Sequence, residues 1–380
     1  MIIITEKMIA GGSCITRIDG KAVFIPFSLP GETLEIEITE SKKDYSFARI
    51  VRVIEPSPHR VKPLCPLFET CGGCTLQMAD SEFQKELRLS IVKDVFDRAK
   101  LSSTLDTYMI SGSPYEYRSR FQFHRSPSDT VSFMEGSSSD LVTLPDCPVA
   151  VPMIRKAISD GSLARTATKF NSKSRFHVFS YGDDLWQEDA SNDCSVFLRG
   201  KNIHFDVRGF FQSNIPLLSQ LLETLELKME QYVHSDECLL DFYSGVGTFS
   251  TILGNKFKKR VLLEHNRAAL GKARINLSAE NKTGNIFCTC TDDKWHLQKE
   301  SRFSYSTAII DPPRQGLPKS ATEWFNNSGI PVLFYVSCDP ATFARDAIRL
   351  AQGGYKLEES ILFDFYAQTH HVETLGIFIK

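Results

Sequence analysis

The chain has 380 residues, 42% apolar and 24% charged, with a net charge of −2: a folded globular composition with room for two or three domains. That near-neutral balance excludes a global basic field, so any nucleic-acid contact must come from local patches. No apolar run approaches membrane-span length, and ten cysteines behind a start without a signal-peptide pattern point to a reducing cytosol.

Residues 22–27, 34–39 and 47–53 alternate apolar and polar, separated by the turn signals Asp19-Gly20, Pro30-Gly31 and Lys42-Lys43-Asp44. Several short strands in so short a stretch predict a small β-barrel of the oligonucleotide-binding type. The order Gly11-Gly12, residues 22–26, then Pro30-Gly31-Glu32 resembles a TRAM domain, an RNA-binding barrel. Pro56 and Pro58 mark its expected end, at residue 58.

Next comes Cys65-Pro-Leu-Phe-Glu-Thr-Cys71-Gly-Gly-Cys74, with a fourth candidate thiol at Cys147. Gly72-Gly73 lets the backbone wrap closely. A tight triplet plus one distant cysteine suits an iron–sulfur cluster, and a four-cysteine zinc site is the rival. Ser81 and Gln84 form a capping-box pattern, and Phe83, Leu87, Ile91 and Val95 make the apolar stripe of a helix. Arg118, Arg120, His124 and Arg125 alternate with Tyr115, Tyr117, Phe121 and Phe123, a strand pattern that sorts cations and rings onto opposite faces. If the rings are accessible, that strand stacks bases and holds phosphates; if they face inward, it is a hairpin with a solvated basic face. Arg165, Lys169, Lys173 and Arg175 extend the basic character.

From residue 206 the pattern is that of a doubly wound α/β domain. A strand over 238–241 leads into Asp241-Phe-Tyr-Ser-Gly245-Val-Gly247, and a helix begins at Thr248. Further strands are expected at 260–264, 286–290, 307–310, 333–336, 361–365 and 372–379. Asp241, Glu264, Asp311 and Cys338 would then all end strands along one edge, where such sheets bind ligands. A lone free cysteine is usually a small buried apolar residue. Cys338, however, sits between a strand and a helix, whose amino terminus would favour the thiolate.

Together these motifs resemble the bacterial RNA (uracil-5-)-methyltransferases that carry a TRAM domain and an iron–sulfur cluster. The resemblance covers nearly the whole chain. It implies a Rossmann-like S-adenosylmethionine methyltransferase domain at 206–380, an N-terminal barrel at 1–58, and a central iron–sulfur and RNA-binding domain at 59–205. It implies Cys65, Cys71, Cys74 and Cys147 as ligands of a [4Fe–4S] cluster. Gln212 in Phe211-Gln212-x-Asn214, Tyr243, Thr248, Glu264 and Asp311 would contact S-adenosylmethionine, with a further contact near Thr291 or Asp292. Ser337-Cys338-Asp339-Pro340 matches the nucleophile motif, and His371-Val372-Glu373 the segment with the base. Cys338 would add to uracil C6 and Glu373 would take the C5 proton. The adjacent His370 and His371, on an extended segment, would point to opposite faces. The expected substrate is RNA, most of all 23S rRNA, with tRNA, a cytosine target and a non-catalytic RNA-binding scaffold as alternatives. A cytoplasmic monomer is expected.

Overall fold

The computed structural model describes all residues except 102–106, 127–129, 137, 166–174, 189–191 and 279–283. Lys169 and Lys173 lie outside the described residues. The chain begins with a curled six-stranded sheet whose order is 2–4, 33–41, 45–55, 21–26, 13–18, 7–8. Its alternating pattern turns Val23, Ile25, Leu34, Ile36 and Ala48 inward to form a small separate core. The last strand stops at Glu55, where Pro56 removes the next donor.

A five-stranded antiparallel sheet follows, with Arg120–Arg125 at its centre. Phe121 and Phe123 are fully buried, with ring centroids 5.0 Å apart. The rings of this strand are therefore core, and the inward-facing arrangement is the one adopted. Arg118 lies over the Phe121 ring at 4.7 Å.

The largest sheet has eight strands: β1 (Thr107–Ile110), β2 (Cys238–Phe242), β3 (Lys259–Leu263), β4 (Asn285–Cys288), β5 (Thr307–Ile310), β6 (Val332–Ser337), β7 (Lys356–Phe363) and β8 (Glu373–Ile379). Their order is β4-β3-β2-β5-β6-β8-β7-β1. Strands β4 to β6 of that order are parallel, and β8 pairs antiparallel with both β6 and β7. Both faces are covered, which is why these strands read as unbroken apolar runs. In β6, Phe334 and Val336 enter one core, while Leu333 and Tyr335 enter the other. The sheet's order reverses between β2 and β5, which opens a crevice at the carboxyl ends of the strands.

Parts of the central unit, 59–205, join the large sheet, as the sequence allowed for helix 81–100. Its helix α1 (Ser81–Arg98) packs on the large sheet's layer, with Phe96 and Phe343 rings 5.6 Å apart, and β1 joins the sheet edge parallel to β7. A four-residue strand whose partner lies about 250 residues away leaves no local signal. The buried residues of the 193–206 hairpin likewise belong to the core of the large sheet.

Candidate active site

The crevice is a cavity of about 900 Å³ lined by residues from every part of the sheet's carboxyl edge. Gln212, Tyr243, Thr248, Glu264, Asp311, Cys338 and Glu373 all line it, as do both Thr291 and Asp292. Sequence motifs spread over 160 residues thus converge on one space.

The cofactor side is built on the turn after β2. Tyr243 has φ of 71° and Gly245 and Gly247 have φ of 53° and 76°, so three residues in the left-handed region bend the chain sharply. A side chain at Gly247 would put its Cβ 3.0 Å from the Cβ of Ala273, so glycine is required for close packing. Glu264 Oε2 accepts from the Gly245 N–H at 3.1 Å, and its Oε1 accepts from Asn266 N–H at 2.7 Å. The Tyr243 hydroxyl donates to Asp292, tying the β2 turn to the segment after β4. Asp241 holds the start of helix α2 (Thr248–Leu253) through Ser250. Gln212 Oε1 is buried without a partner, an acceptor for a bound group.

The reactive side is built on β5, β6 and β8. The β6–β8 register ends with Ser337 paired to Thr374; Cys338 is the first residue past β6, Glu373 is the first of β8, and both line the cavity. Burial pushes the Cys338 thiol up to about 11, helped by Glu373, Asp311 and Asp339 and opposed by Arg314. Burial thus works against the thiolate that a helix start would favour. The amino terminus of helix α3 (Pro340–Ala351) is already capped by Asp339, whose Oδ1 accepts from Thr342 N–H at 2.8 Å. Asp311 is raised to about 7, by burial first and by Asp241 next. Glu373 is raised far above the usual carboxylate range, by burial first and then Asp311, against Arg314.

His371 lines the cavity beside Arg314, 3.5 Å away, and burial holds its ring neutral by lowering it to about 4. His370 is not in the cavity lining: its ring Nδ1 lies 3.2 Å from Thr75 Oγ1, and its backbone N–H donates to the same oxygen at 3.1 Å. The segment is a run of turns rather than extended, so the two rings are only 4.2 Å apart instead of on opposite faces. Gly12, from the N-terminal sheet, abuts His370 so closely that a Cβ would lie 2.9 Å from its Nδ1. The first sheet, the cysteine loop and the catalytic segment therefore meet at His370. Below it, Arg88 of α1 donates to Asp364 Oδ2 at 2.7 Å and to the Thr369 carbonyl at 2.9 Å. Sequence reasoning missed these contacts and also missed Tyr366, Arg314 and Cys290 as cavity residues. Arg314 was legible as the end of Asp311-Pro-Pro-Arg314.

The thiols of Cys65, Cys71, Cys74 and Cys147 share one neighbourhood. Cys74 feels Cys71 and Cys65, and Cys147 feels Cys74. Burial raises Cys74 to about 11 and Cys147 to about 12, so an electropositive partner is needed to ionise them. Gly72 passes so close to Gly136 that a Cβ would sit 3.2 Å from its Cα. Among the described residues, no group of three or more His, Cys, Asp or Glu is gathered to hold a metal ion. No described helix is long and apolar enough to cross a membrane.

Residues 294–380 match the family described as tRNA (Uracil-5-)-methyltransferase, and residues 2–51 match the TRAM domain. The chain is 42% identical to an uncharacterized RNA methyltransferase of Treponema denticola, across 100% of this chain and 99% of that one. It is 29% identical to the 23S rRNA (uracil(1939)-C(5))-methyltransferase RlmD of Shewanella amazonensis, across 97% and 93%. Its fold is similar to that of the tRNA (uracil-54, C5)-methyltransferase of Pyrococcus abyssi, solved with S-adenosyl-L-homocysteine. The TM-score is 0.75 at 23% identity, with both chains fully covered.

Proposed function

The chain belongs to the RNA uracil-5-methyltransferase family with a TRAM domain, and from that premise we propose that it methylates C5 of a uridine in 23S rRNA. The observation that carries the reading is that Cys338, just past the end of β6, and Glu373, at the start of the neighbouring β8, line one cavity, with Glu373 close enough to act on the thiol. Bound S-adenosylmethionine supplies an electrophilic methyl group. Gln212, Glu264 and the Tyr243–Asp292 pair hold and orient it, with Thr248 and Asp311 beside them.

Uracil C5 is a weak carbon nucleophile. The Cys338 sulfur bonds to C6, and the C5–C6 π pair moves into an enolate that makes C5 reactive. Once C5 carries the methyl, it still holds its proton and C6 still holds sulfur. Glu373 takes the C5 proton, the C5–C6 double bond re-forms, and the thiolate leaves. Burial and Asp311 raise its pKa, which makes the ionised carboxylate a stronger base toward the C5 proton. The target base must leave its stack to reach the cavity. The exposed Tyr45 and Phe47, with Phe24 between them at 5.7 and 5.5 Å, offer stacking surface on the N-terminal sheet.

Cys65, Cys71, Cys74 and Cys147 are read as the holders of a [4Fe–4S] cluster. The donor chemistry supports this: three thiols lie on one glycine loop, and the fourth, Cys147, is within electrostatic reach of Cys74. Iron and sulfide analysis of protein purified without oxygen tests it, and zinc alone would refute it.

The test of the reaction is Glu373→Gln. Methyl transfer should proceed while release slows by about 10²–10⁴. A protein–RNA adduct labelled from the cofactor's methyl should then accumulate on a denaturing gel, and none should form with Cys338→Ala. Rapid turnover without adduct in the Gln variant would remove Glu373 from the role. Mapping 5-methyluridine in rRNA and tRNA of cells lacking the gene tests the target.

A further inference from the structure

Tyr366 stands in the cavity wall beside both the nucleophile and the base. It lies three residues beyond the end of β7, and the buried Phe365 before it enters the core. Its carbonyl accepts from Thr369 N–H at 3.1 Å and from Thr369 Oγ1 at 2.7 Å. Its ring meets that of His371 edge-on, with centroids 6.1 Å apart at 74°. Backbone and ring are thus fixed. Among the described residues, however, no partner meets the hydroxyl. A phenol held this firmly, with its polar end open to a reaction cavity, is placed for a ligand to complete the bond.

The surroundings define which ligand atom that is. Burial first, then the charges of Glu373 and Cys338, keep the phenol protonated, while Arg118 opposes them. The group is therefore a donor. Glu373, Cys338 and Asp311 all act on it, which sets it at the reactive end of the cavity whose wall it lines. With uracil C6 at Cys338 and C5 facing Glu373, the next ring atom on that side is C4, and O2 lies across the ring.

We propose that the Tyr366 hydroxyl donates a hydrogen bond to O4 of the target uracil and stabilises the enolate formed when Cys338 adds. This deepens the covalent reading above and rests on it. Cys338 first gives its thiol proton to solvent; the C6–S bond then forms from the thiolate lone pair, the C5–C6 π pair shifts toward C4, and O4 takes the negative charge. A donor already aimed at that oxygen binds the charged state more tightly than the neutral base, so it accelerates addition.

The experiment is Tyr366→Phe, which keeps the ring and removes one oxygen. The kcat for RNA methylation should fall about 10–100-fold, with KM for RNA and for S-adenosylmethionine changed less than about twofold. The rate of adduct formation with 5-fluorouridine RNA should fall by the same factor, while S-adenosylhomocysteine affinity stays at the wild-type value. Wild-type kcat overturns the proposal, and so does a change confined to KM or an adduct formed at the wild-type rate. Weakened S-adenosylhomocysteine binding also overturns it, since the tyrosine would then be structural. If wild type forms no adduct, the Cys338 reading fails. If wild type and the Phe variant form it equally fast, only the Tyr366 assignment fails.

Discussion

The protonation state of Cys338 sets how the reaction can start, and it can be measured without RNA. A thiol pushed up to about 11 is scarcely ionised at neutral pH. The thiolate fraction is about 10⁻⁴ at pH 7 and about 10⁻² at pH 9. An unperturbed cysteine near 8.5 would be a few per cent ionised at pH 7 and mostly ionised by about pH 9.5. Raising the pKa removes thiolate from the folded enzyme at every pH below it, so reactivity must climb about tenfold per pH unit through that range. The assay is alkylation by iodoacetamide, read by mass spectrometry on the peptide carrying Cys338, with circular dichroism to verify the fold at each pH. Arg314 opposes the other charges on Cys338, so Arg314→Gln should move the profile to still higher pH. A cationic sulfonium at about 6 Å, at an effective dielectric constant of about 20, favours the thiolate by about 3 kcal/mol, or about two pH units. S-adenosylmethionine should therefore speed alkylation at pH 7 relative to S-adenosylhomocysteine, which has the same shape but a neutral sulfur. A profile that levels off by pH 8.5 without cofactor would refute the reasoning and restore a preformed thiolate.

Four further outcomes are expected. Arg88→Met leaves Asp364 in the core without its ion partner, either charged and unpaired or forced to take up a proton, which should cost up to about 3–5 kcal/mol in urea unfolding; adding Asp364→Leu should recover most of it, and a double variant no better than the single would contradict this. Asp364 is raised to about 6, above its unfolded value, so its contribution is fully present below about pH 4 and is lost as pH rises through about 6; Tm of the wild type against pH should carry that component. Gln212→Leu removes an unpaired buried acceptor, so the apoprotein should be no less stable, while affinity for S-adenosylhomocysteine by calorimetry drops about 10–100-fold. Gly12→Ala should lower kcat more than Gly11→Ala, because both positions have positive φ but only Gly12 touches His370; equal effects would mean backbone strain alone.

The parts of this protein that its sequence determined are those whose cause is local. Strands buried on both faces write themselves as apolar runs, as in β2, β5 and β6. The Asp241–Gly247 turn carries its own glycines, and Cys338 and Asp311 announce themselves by following a strand. From these alone, the common edge holding Asp241, Glu264, Asp311 and Cys338 was legible, whereas Gln212 and Glu373 were named only through the family resemblance. Tertiary structure decided what depends on a partner far along the chain. The pattern of 115–125 allowed rings out or rings in, and only packing against Phe133 and Phe176 turned Phe121 and Phe123 inward. Nothing near Thr107 reveals that its strand pairs with Ser360. The helix after Cys338 suggested a thiolate, but ionisation depends on the summed field and on burial, and both come from β5, β8 and the Asp311-Pro-Pro-Arg314 loop rather than from neighbours in sequence. Tyr366 carried no motif. Its significance lies in an unpaired hydroxyl beside Cys338 and Glu373, and an unmet hydrogen bond exists only once the space around it has been built.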